Sequence, residues 1–249
     1  MKKDTPQFPT EEVTLPSKGL LYPEDSPLKK GTVEMKYMTA REEDILTNQN
    51  YIENGTVIDK LLQSLIVTPL DYNSLLIGDK NAILVAARIL GYGAEYEFNY
   101  GGKNHDINLT EMKDKPLDKS LVVNGINEFT YTLPASKINI TFKLLTHGDE
   151  RKIDQELKGL KRLNKDSSFD ISTRMKHIIT SINGDRENKN IRKFVDEQLL
   201  ARDARDLRNY IKEIQPDIDL SFDYEEKNGN FKKVTIPVSV NFFWPDVEL

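Results

Sequence analysis

The chain has 249 residues, of which 38% are apolar and 30% charged, and its formal net charge at pH 7 is -5. Because it has no cysteine, disulfides, thiolate zinc sites and cysteine nucleophiles are excluded. The acidic balance argues against a protein that coats nucleic acid through bulk charge. No apolar run reaches the length of a membrane span, and Met1–Pro6 lacks the apolar core of a signal peptide. We therefore expect a folded protein without membrane association.

Residues 1–30 are predicted to form an extended N-terminal arm. Five prolines in this stretch prevent a continuous helix. Leu20, Leu21 and Tyr22 follow one another there in a loop-like context. We favour packing of these three side chains on the chain's own fold, and contact with a partner is the alternative.

One sequence pattern occurs twice and organises the rest of the chain. Its parts are Thr14–Lys18, Val33–Met38 and Thr39–Asp44 in the first copy, and Thr132–Lys137, Ile138–Leu145 and Thr146–Arg151 in the second. In each copy a proline-containing turn leads into the alternation that is typical of a half-buried strand. Thr39 and Thr146 are each followed three residues later by an acid, which predicts a helix start. We therefore predict two related modules, residues 31–115 and 128–241.

The first module is predicted to have its most apolar helix at residues 79–90. Apolar residues surround most of this helix, so we expect it to be central, and Gly91–Gly93 should end it. A shorter amphipathic helix precedes it within residues 57–66. The alternation of residues 96–109 around Gly101-Gly102 predicts a β-hairpin.

The second module is predicted to repeat this plan. The alignment pairs Leu61–Leu65 with Ile178–Ile182 and Leu75–Ile83 with Leu199–Leu207. Asp203 then corresponds to Asp79, and for both residues a charge that answers the helix dipole is favoured over a functional role. The helix after Leu200 has an apolar stripe that includes Leu207 and Ile211. We expect this helix at the surface or against a partner.

A second hairpin and an aromatic tail complete the predicted elements. Alternation over residues 220–240 predicts the hairpin. The tail, residues 242–249, contains Phe242, Phe243 and Trp244. Since terminal segments are normally polar, we expect this aromatic cluster to be docked on another surface.

No catalytic constellation is visible in the sequence. His105, His147 and His177 have no metal-ligand spacing, and each is interpreted as a surface or capping residue. Carboxylates are plentiful, but no pair lies in a glycine-rich or aromatic context, and no phosphate-binding glycine loop follows a strand. We therefore expect no enzyme and no catalytic, cofactor-binding or metal site.

Basic residues are dense in the second module, where Lys158, Lys161 and Arg162 are the candidates for phosphate contact. Acids are interleaved with basic residues along the same helix, so a solvated helix face is the favoured interpretation.

Four motifs in order resemble a known family. They are Leu15–Tyr22, Met38–Leu46, Gly78–Ile83 with Arg88–Gly93, and Phe242–Pro245. With these motifs the chain resembles the baseplate hub proteins of T-even-type contractile-tailed bacteriophages, which include hub subunits and hub assembly proteins. Members of that family often carry Cys-x-x-Cys knuckles in their hairpins. This chain has no cysteine, so the resemblance implies no zinc here.

The predicted fold class is α+β, with two duplicated modules, each a strand plus a small helical bundle plus a β-hairpin, and an extended N-terminal arm. The resemblance implies a non-enzymatic tail baseplate hub protein that takes part in hub assembly by binding other hub proteins, as a structural subunit. The alternatives are an assembly chaperone absent from the mature virion and a nucleic-acid-contacting tail factor. The implied locations are the host cytoplasm during assembly and the virion tail baseplate.

Partner contact is predicted where apolar or aromatic side chains occur in segments that are normally polar. The predicted partner-binding residues are Leu20, Leu21, Tyr22, Leu207, Ile211, Phe242, Phe243 and Trp244. No cofactor, membrane or nucleic-acid partner is expected, and self-association is left open.

Overall fold

A computed structural model of the chain describes residues 9–115, 117–163, 169–226, 229–236, 238 and 240–243, with Val240 described by its backbone alone. The helices in these residues are α1 (Ala40–Leu46), α2 (Gln49–Glu53), α3 (Val57–Leu65), α4 (Ile77–Tyr92), α5 (His147–Leu163), α6 (Asp170–Ile178), α7 (Asn188–Glu197) and α8 (Ala201–Ile214). The strands are β1 (Thr10–Thr14), β2 (Thr32–Lys36), β3 (Glu95–Tyr100), β4 (Lys103–Asn108), β5 (Asp114–Lys115), β6 (Phe129–Thr132), β7 (Asn139–Phe142), β8 (Ile179–Ile182), β9 (Asp217–Ile218), β10 (Ser221–Glu225) and β11 (Phe231–Thr235). The strands pair as small antiparallel sheets, β1-β2, β3-β4, β5-β9, β10-β11 and β6-β7-β8. The predicted α+β class is confirmed.

The predicted N-terminal arm is not seen as a separate element in the described residues. β1 pairs with β2, with Val13 opposite Val33. Residues 27–30 form a 3-10 helix that ends at Gly31, whose φ of +75° is readily adopted by glycine. Residues 9–31 therefore pack on the first module, and residues 1–8 of the predicted arm lie outside the described residues.

α4 is the central helix, as predicted. Its residues Ile83, Val85 and Ala87 are at most 2% exposed. Strand β9 from the second module packs across its first turn, where a β-carbon on Gly78 would lie 1.9 Å from the carbonyl oxygen of Pro216. Glycine is therefore required for this close approach. The described core is one continuous cluster that draws on both predicted modules.

The two predicted helix starts are confirmed, and they are built alike. The backbone N–H of Thr39 donates to Glu42 at 3.0 Å, and the Lys36 ammonium donates to the same carboxylate at 2.8 Å. In the second copy the N–H of Thr146 donates to Asp149 at 3.2 Å, and Lys143 donates to that carboxylate at 2.7 Å. Each acid thus satisfies a helix N-terminus and binds a lysine of the preceding strand segment.

A second pair of matched contacts joins each proline-containing turn to the helix that follows later in its module. Asp79, in the first turn of α4, accepts a hydrogen bond from the backbone N–H of Ser17 at 2.9 Å. Asp203, in the first turn of α8, accepts from the N–H groups of Ala135 and Ser136 at 2.8 and 3.0 Å. These contacts support the duplication at the residues involved. For the complete modules it stays a prediction.

One part of the predicted alignment is wrong by a helical turn. α3 ends with the N–H of Ile66 donating to the Leu62 carbonyl, and α6 ends with the N–H of Ile179 donating to the Met175 carbonyl. Leu62 therefore corresponds to Met175, not to Ile179. A shift of four residues nearly preserves the helical phase, so the apolar stripes matched in either alignment.

We expect Glu42→Gln to lower the free energy of unfolding by about 2 kcal/mol at pH 7, because a charged hydrogen-bond acceptor is lost. Burial opposes ionisation of Glu42, but hydrogen bonds from Lys36, Thr39 and Ser64 outweigh it and lower its pKa from 4.5 to about 2. The carboxylate therefore stabilises the fold fully above pH 4.5 and loses this effect as the pH falls toward 2.

Urea unfolding of both proteins at several pH values checks this expectation. The stability difference should shrink between pH 4.5 and 2, the pKa interval given above. Asp44→Asn, an exposed acid on the same helix, is the matched control and should change stability little. A constant difference between Glu42→Gln and the wild type across this range would show that the Glu42 charge does not stabilise the fold.

Both predicted hairpins are present, as β3-β4 and β10-β11. They pack on each other through aromatic side chains, with the Tyr100 and Tyr224 rings 5.0 Å apart between centroids.

In the part of the chain that the structure describes, every helix is too short or too polar to cross a bilayer.

Candidate partner-binding groove

A cavity of about 720 Å³ opens between α6, α8 and the strand pair β5-β9. Its floor is apolar and is formed by Leu145, Met175, Ile178, Ile211, Ile218 and Leu220. We call this cavity the groove. The floor combines segments that lie far apart in the sequence, and the pair β5-β9 forms one side of the groove.

α8 forms one wall of the groove, and the spacing of residues along the helix decides which side chains line it. Leu207 is fully buried in the core, and Ile211, one turn later, is half-buried and lines the groove. Arg208 and Lys212 are four residues apart and therefore lie on the same side of α8, where both line the groove.

The rim of the groove is rich in charge. Its charged residues are Lys113, Lys115, Arg174, Arg208 and Lys212, with Asp114, Asp217 and Asp219. Several of them are engaged within the chain. Arg174 donates to Glu150 at 2.7 Å, and Lys18 forms an ion pair with Asp114 at 2.8 Å.

The acid deepest in this rim is Asp217. Burial raises its pKa, and it accepts a hydrogen bond from the Asn81 side-chain amide at 3.0 Å. Arg208 and Lys212, in contrast, form no side-chain ion pair within the described ranges. The groove therefore presents an apolar floor beside cationic side chains, among them Arg208 and Lys212, that form no ion pair in the described part of the chain.

The segment Leu20–Tyr22 packs on the chain's own fold, which confirms the favoured interpretation. Leu20 is half-buried, while Leu21 and Tyr22 are each 3% exposed. The Tyr22 hydroxyl donates to Asp79 at 2.7 Å and accepts from the backbone N–H of Leu76 at 2.9 Å. In this conformation Leu21 and Tyr22 are covered and do not offer a partner surface.

The first two residues of the aromatic tail, Phe242 and Phe243, are docked, and the surface that they cover belongs to this chain. Phe242 and Phe243 are fully buried. The Arg88 guanidinium donates from Nε to the Phe242 carbonyl at 2.9 Å, and the Phe242 and Tyr96 rings are 4.9 Å apart between centroids. Trp244 lies outside the described residues. Among the described members of the predicted partner set, Ile211 is the one that lines the groove.

His147 lies at the start of α5, as predicted, but it is not a surface residue. It is 5% exposed, and its ring meets the Tyr72 ring edge-on at 4.7 Å. Burial and the neighbouring Lys80 lower its pKa, although Asp59 acts in the opposite sense. Among the described residues, no group of three or more His, Asp or Glu side chains is arranged to hold a metal ion.

Comparison with known proteins gives no match. No family model fits the chain, and neither a curated protein nor a solved structure matches it.

Proposed function

We propose that this chain is a non-enzymatic baseplate hub protein of a contractile-tailed phage and that it takes part in hub assembly by binding another hub protein in the groove. The motif resemblance supports the biological setting. The observation that carries the binding role is the apolar floor around Ile211 beside the cationic side chains of Arg208 and Lys212.

The groove fits a short apolar segment that also carries acidic side chains. A cavity of about 720 Å³ has the size of sites that enclose a few side chains of a ligand. Apolar anchors in such a site supply most of the binding free energy, and the surrounding charges select the partner and its orientation. We therefore expect the bound segment to place aliphatic or aromatic residues on the floor and an acid near Arg208.

Site-specific photo-crosslinking in infected cells tests this assignment. A photoreactive benzoylphenylalanine at position 211 should crosslink to one hub protein, whereas the same group at position 205 should not. Position 205 is a matched control because Arg205 is exposed on the same helix and does not line the groove. Crosslinking at 211 to the chain's own residues 244–249, or equal products from both positions, would contradict the proposal.

Charge reversal then tests the role of the rim. With the crosslinked hub protein purified, we expect Arg208→Glu to weaken binding about tenfold and the exposed Arg205→Glu to change it little. Binding should also weaken as salt is raised. An affinity that Arg208→Glu leaves unchanged would exclude the cationic rim from recognition.

Mass spectrometry of purified particles and of infected-cell lysate distinguishes the two roles that the proposal allows, a structural subunit and an assembly factor. Presence in particles at a fixed ratio to the hub proteins indicates a structural subunit. Abundance in the lysate with absence from particles indicates an assembly factor.

A further inference from the structure

The two modules are joined within the chain by a short antiparallel backbone contact. The N–H of Ile77 donates to the Leu145 carbonyl at 3.2 Å, and the N–H of His147 donates to the Leu75 carbonyl at 2.7 Å. Leu76 and Thr146 are the residues opposite each other. The segment before α4 is thus paired with the segment before α5.

The corresponding segment before α8 has the same backbone form. Leu76 precedes α4 with φ -61° and ψ 145°, and Leu200 precedes α8 with φ -64° and ψ 140°. Their exposures differ, because Leu76 is 3% exposed and Leu200 is 50% exposed. The N–H of Ala201, which corresponds to that of Ile77, has no hydrogen bond to the described residues.

The corresponding segment before α1 is open as well. Thr39 matches Thr146 in its position and in its helix-capping acid. Ala40 corresponds to His147, and it is exposed where His147 is buried. Within the described ranges, the N–H of Ala40 has no hydrogen-bond partner. Each chain therefore has, among its described residues, one unpaired segment of each kind.

We propose that a second copy of this chain pairs these open segments, so that residues 199–201 of one copy bind residues 38–40 of the next. The N–H of Ala201 donates to the Met38 carbonyl of the other copy, and the N–H of Ala40 donates to the Leu199 carbonyl. Leu200 is covered in this contact. The two surfaces differ, so the association is head-to-tail and generates a ring or an open filament.

The side chains beside the contact within the chain differ from those beside the proposed contact between copies. His147, Gly148 and Arg151 of the internal contact correspond to Ala40, Arg41 and Asp44. We therefore expect the backbone pairing and the burial of Leu200 to carry over, and an association weaker than the contact within the chain.

Two proline substitutions test the pairing while leaving the helices intact. Ala40→Pro and Ala201→Pro each remove one of the N–H groups at the first position of a helix, where proline is well tolerated. The preceding residues, Thr39 and Leu200, already have the extended backbone that proline requires. Circular dichroism checks that both proline variants fold. Leu200→Asp serves as a third variant, which changes only an exposed side chain.

Sedimentation of the full chain at concentrations up to about 100 μM measures the association between copies. We expect the wild type to associate as the concentration rises, and each proline variant alone to remain largely monomeric. A mixture of Ala40→Pro with Leu200→Asp should form a dimer and stop there, because together they provide one intact surface of each kind. A wild type that stays monomeric over this range, or a mixture that behaves like its separate components, would overturn the proposal. No position in this test lines the groove, so its failure leaves the proposed function in place.

Discussion

Replacing Asp79 by asparagine is expected to lower the free energy of unfolding by about 3 kcal/mol, because buried donors would lose their shared acceptor. The Asp79 carboxylate is fully buried and accepts hydrogen bonds from the Ser17 N–H, the Ser17 hydroxyl and the Tyr22 hydroxyl. Burial raises the pKa of Asp79, and these donors act in the opposite sense. An amide has one acceptor oxygen, and its NH₂ group would face a donor.

Chemical denaturation of Asp79→Asn beside Asp25→Asn measures this effect. Asp25 is an exposed acid in the same N-terminal segment as Ser17 and Tyr22, so its replacement should change stability little. The Asp79 variant should also show faster proteolysis within residues 15–31, since Asp79 fixes that segment to α4. Equal stability of the two variants would show that the buried carboxylate is dispensable.

Arg88→Met is expected to lower the free energy of unfolding by about 4 kcal/mol, since buried carbonyl groups would lose a charged donor. The Arg88 guanidinium is buried and donates to the carbonyls of Phe242, Gly93 and Glu95 at 2.9, 2.9 and 3.1 Å. It also lies over the Tyr96 ring at 5.8 Å. Methionine keeps most of the aliphatic volume and removes every N–H donor.

Thermal unfolding and limited proteolysis check the Arg88 prediction. Arg162→Met, at an exposed arginine near the end of α5, is the control for loss of charge alone. Cleavage next to Phe242 should accelerate in Arg88→Met and not in the control. If Arg88→Met were as stable and as resistant as the control, the guanidinium would not be what anchors this segment.

Local sequence signals predicted the local structure well. The threonine-acid pairs marked the starts of α1 and α5 because both partners of a helix cap lie within one turn. Alternation around glycine-containing turns marked both hairpins for the same reason. The apolar circumference of α4 also indicated a central helix.

The groove could not be predicted in this way. Its floor brings Leu145, Met175 and Ile218 together through tertiary packing, and no local pattern records which segments will meet. Ile211 was singled out as part of a stripe, but the same stripe includes Leu207, which is buried in the core. The cations Arg208 and Lys212 follow from helical spacing once the position of Ile211 is known.

Burial of single residues was the other point that the sequence left undetermined. The sequence predicts partner contact for Phe242 and Phe243, yet both are covered by the chain itself. His147 looks like a capping residue because it follows Thr146, but the contact between the modules buries it. In each case the covering residues come from the other end of the chain or from the other module.

The residues that cover α4 lie late in the sequence, so they determine when this helix becomes buried during synthesis. Asn81 binds Asp217, 136 residues later, and Arg88 binds Phe242, 154 residues later. A growing chain that has released α4 from the ribosome must therefore keep its most apolar helix without these contacts until residues 217 and 242 have been translated. Contacts of such long range form late in folding, and the exposed intermediate is prone to aggregation. A fragment that ends after the first hairpin should consequently aggregate more readily than the full chain.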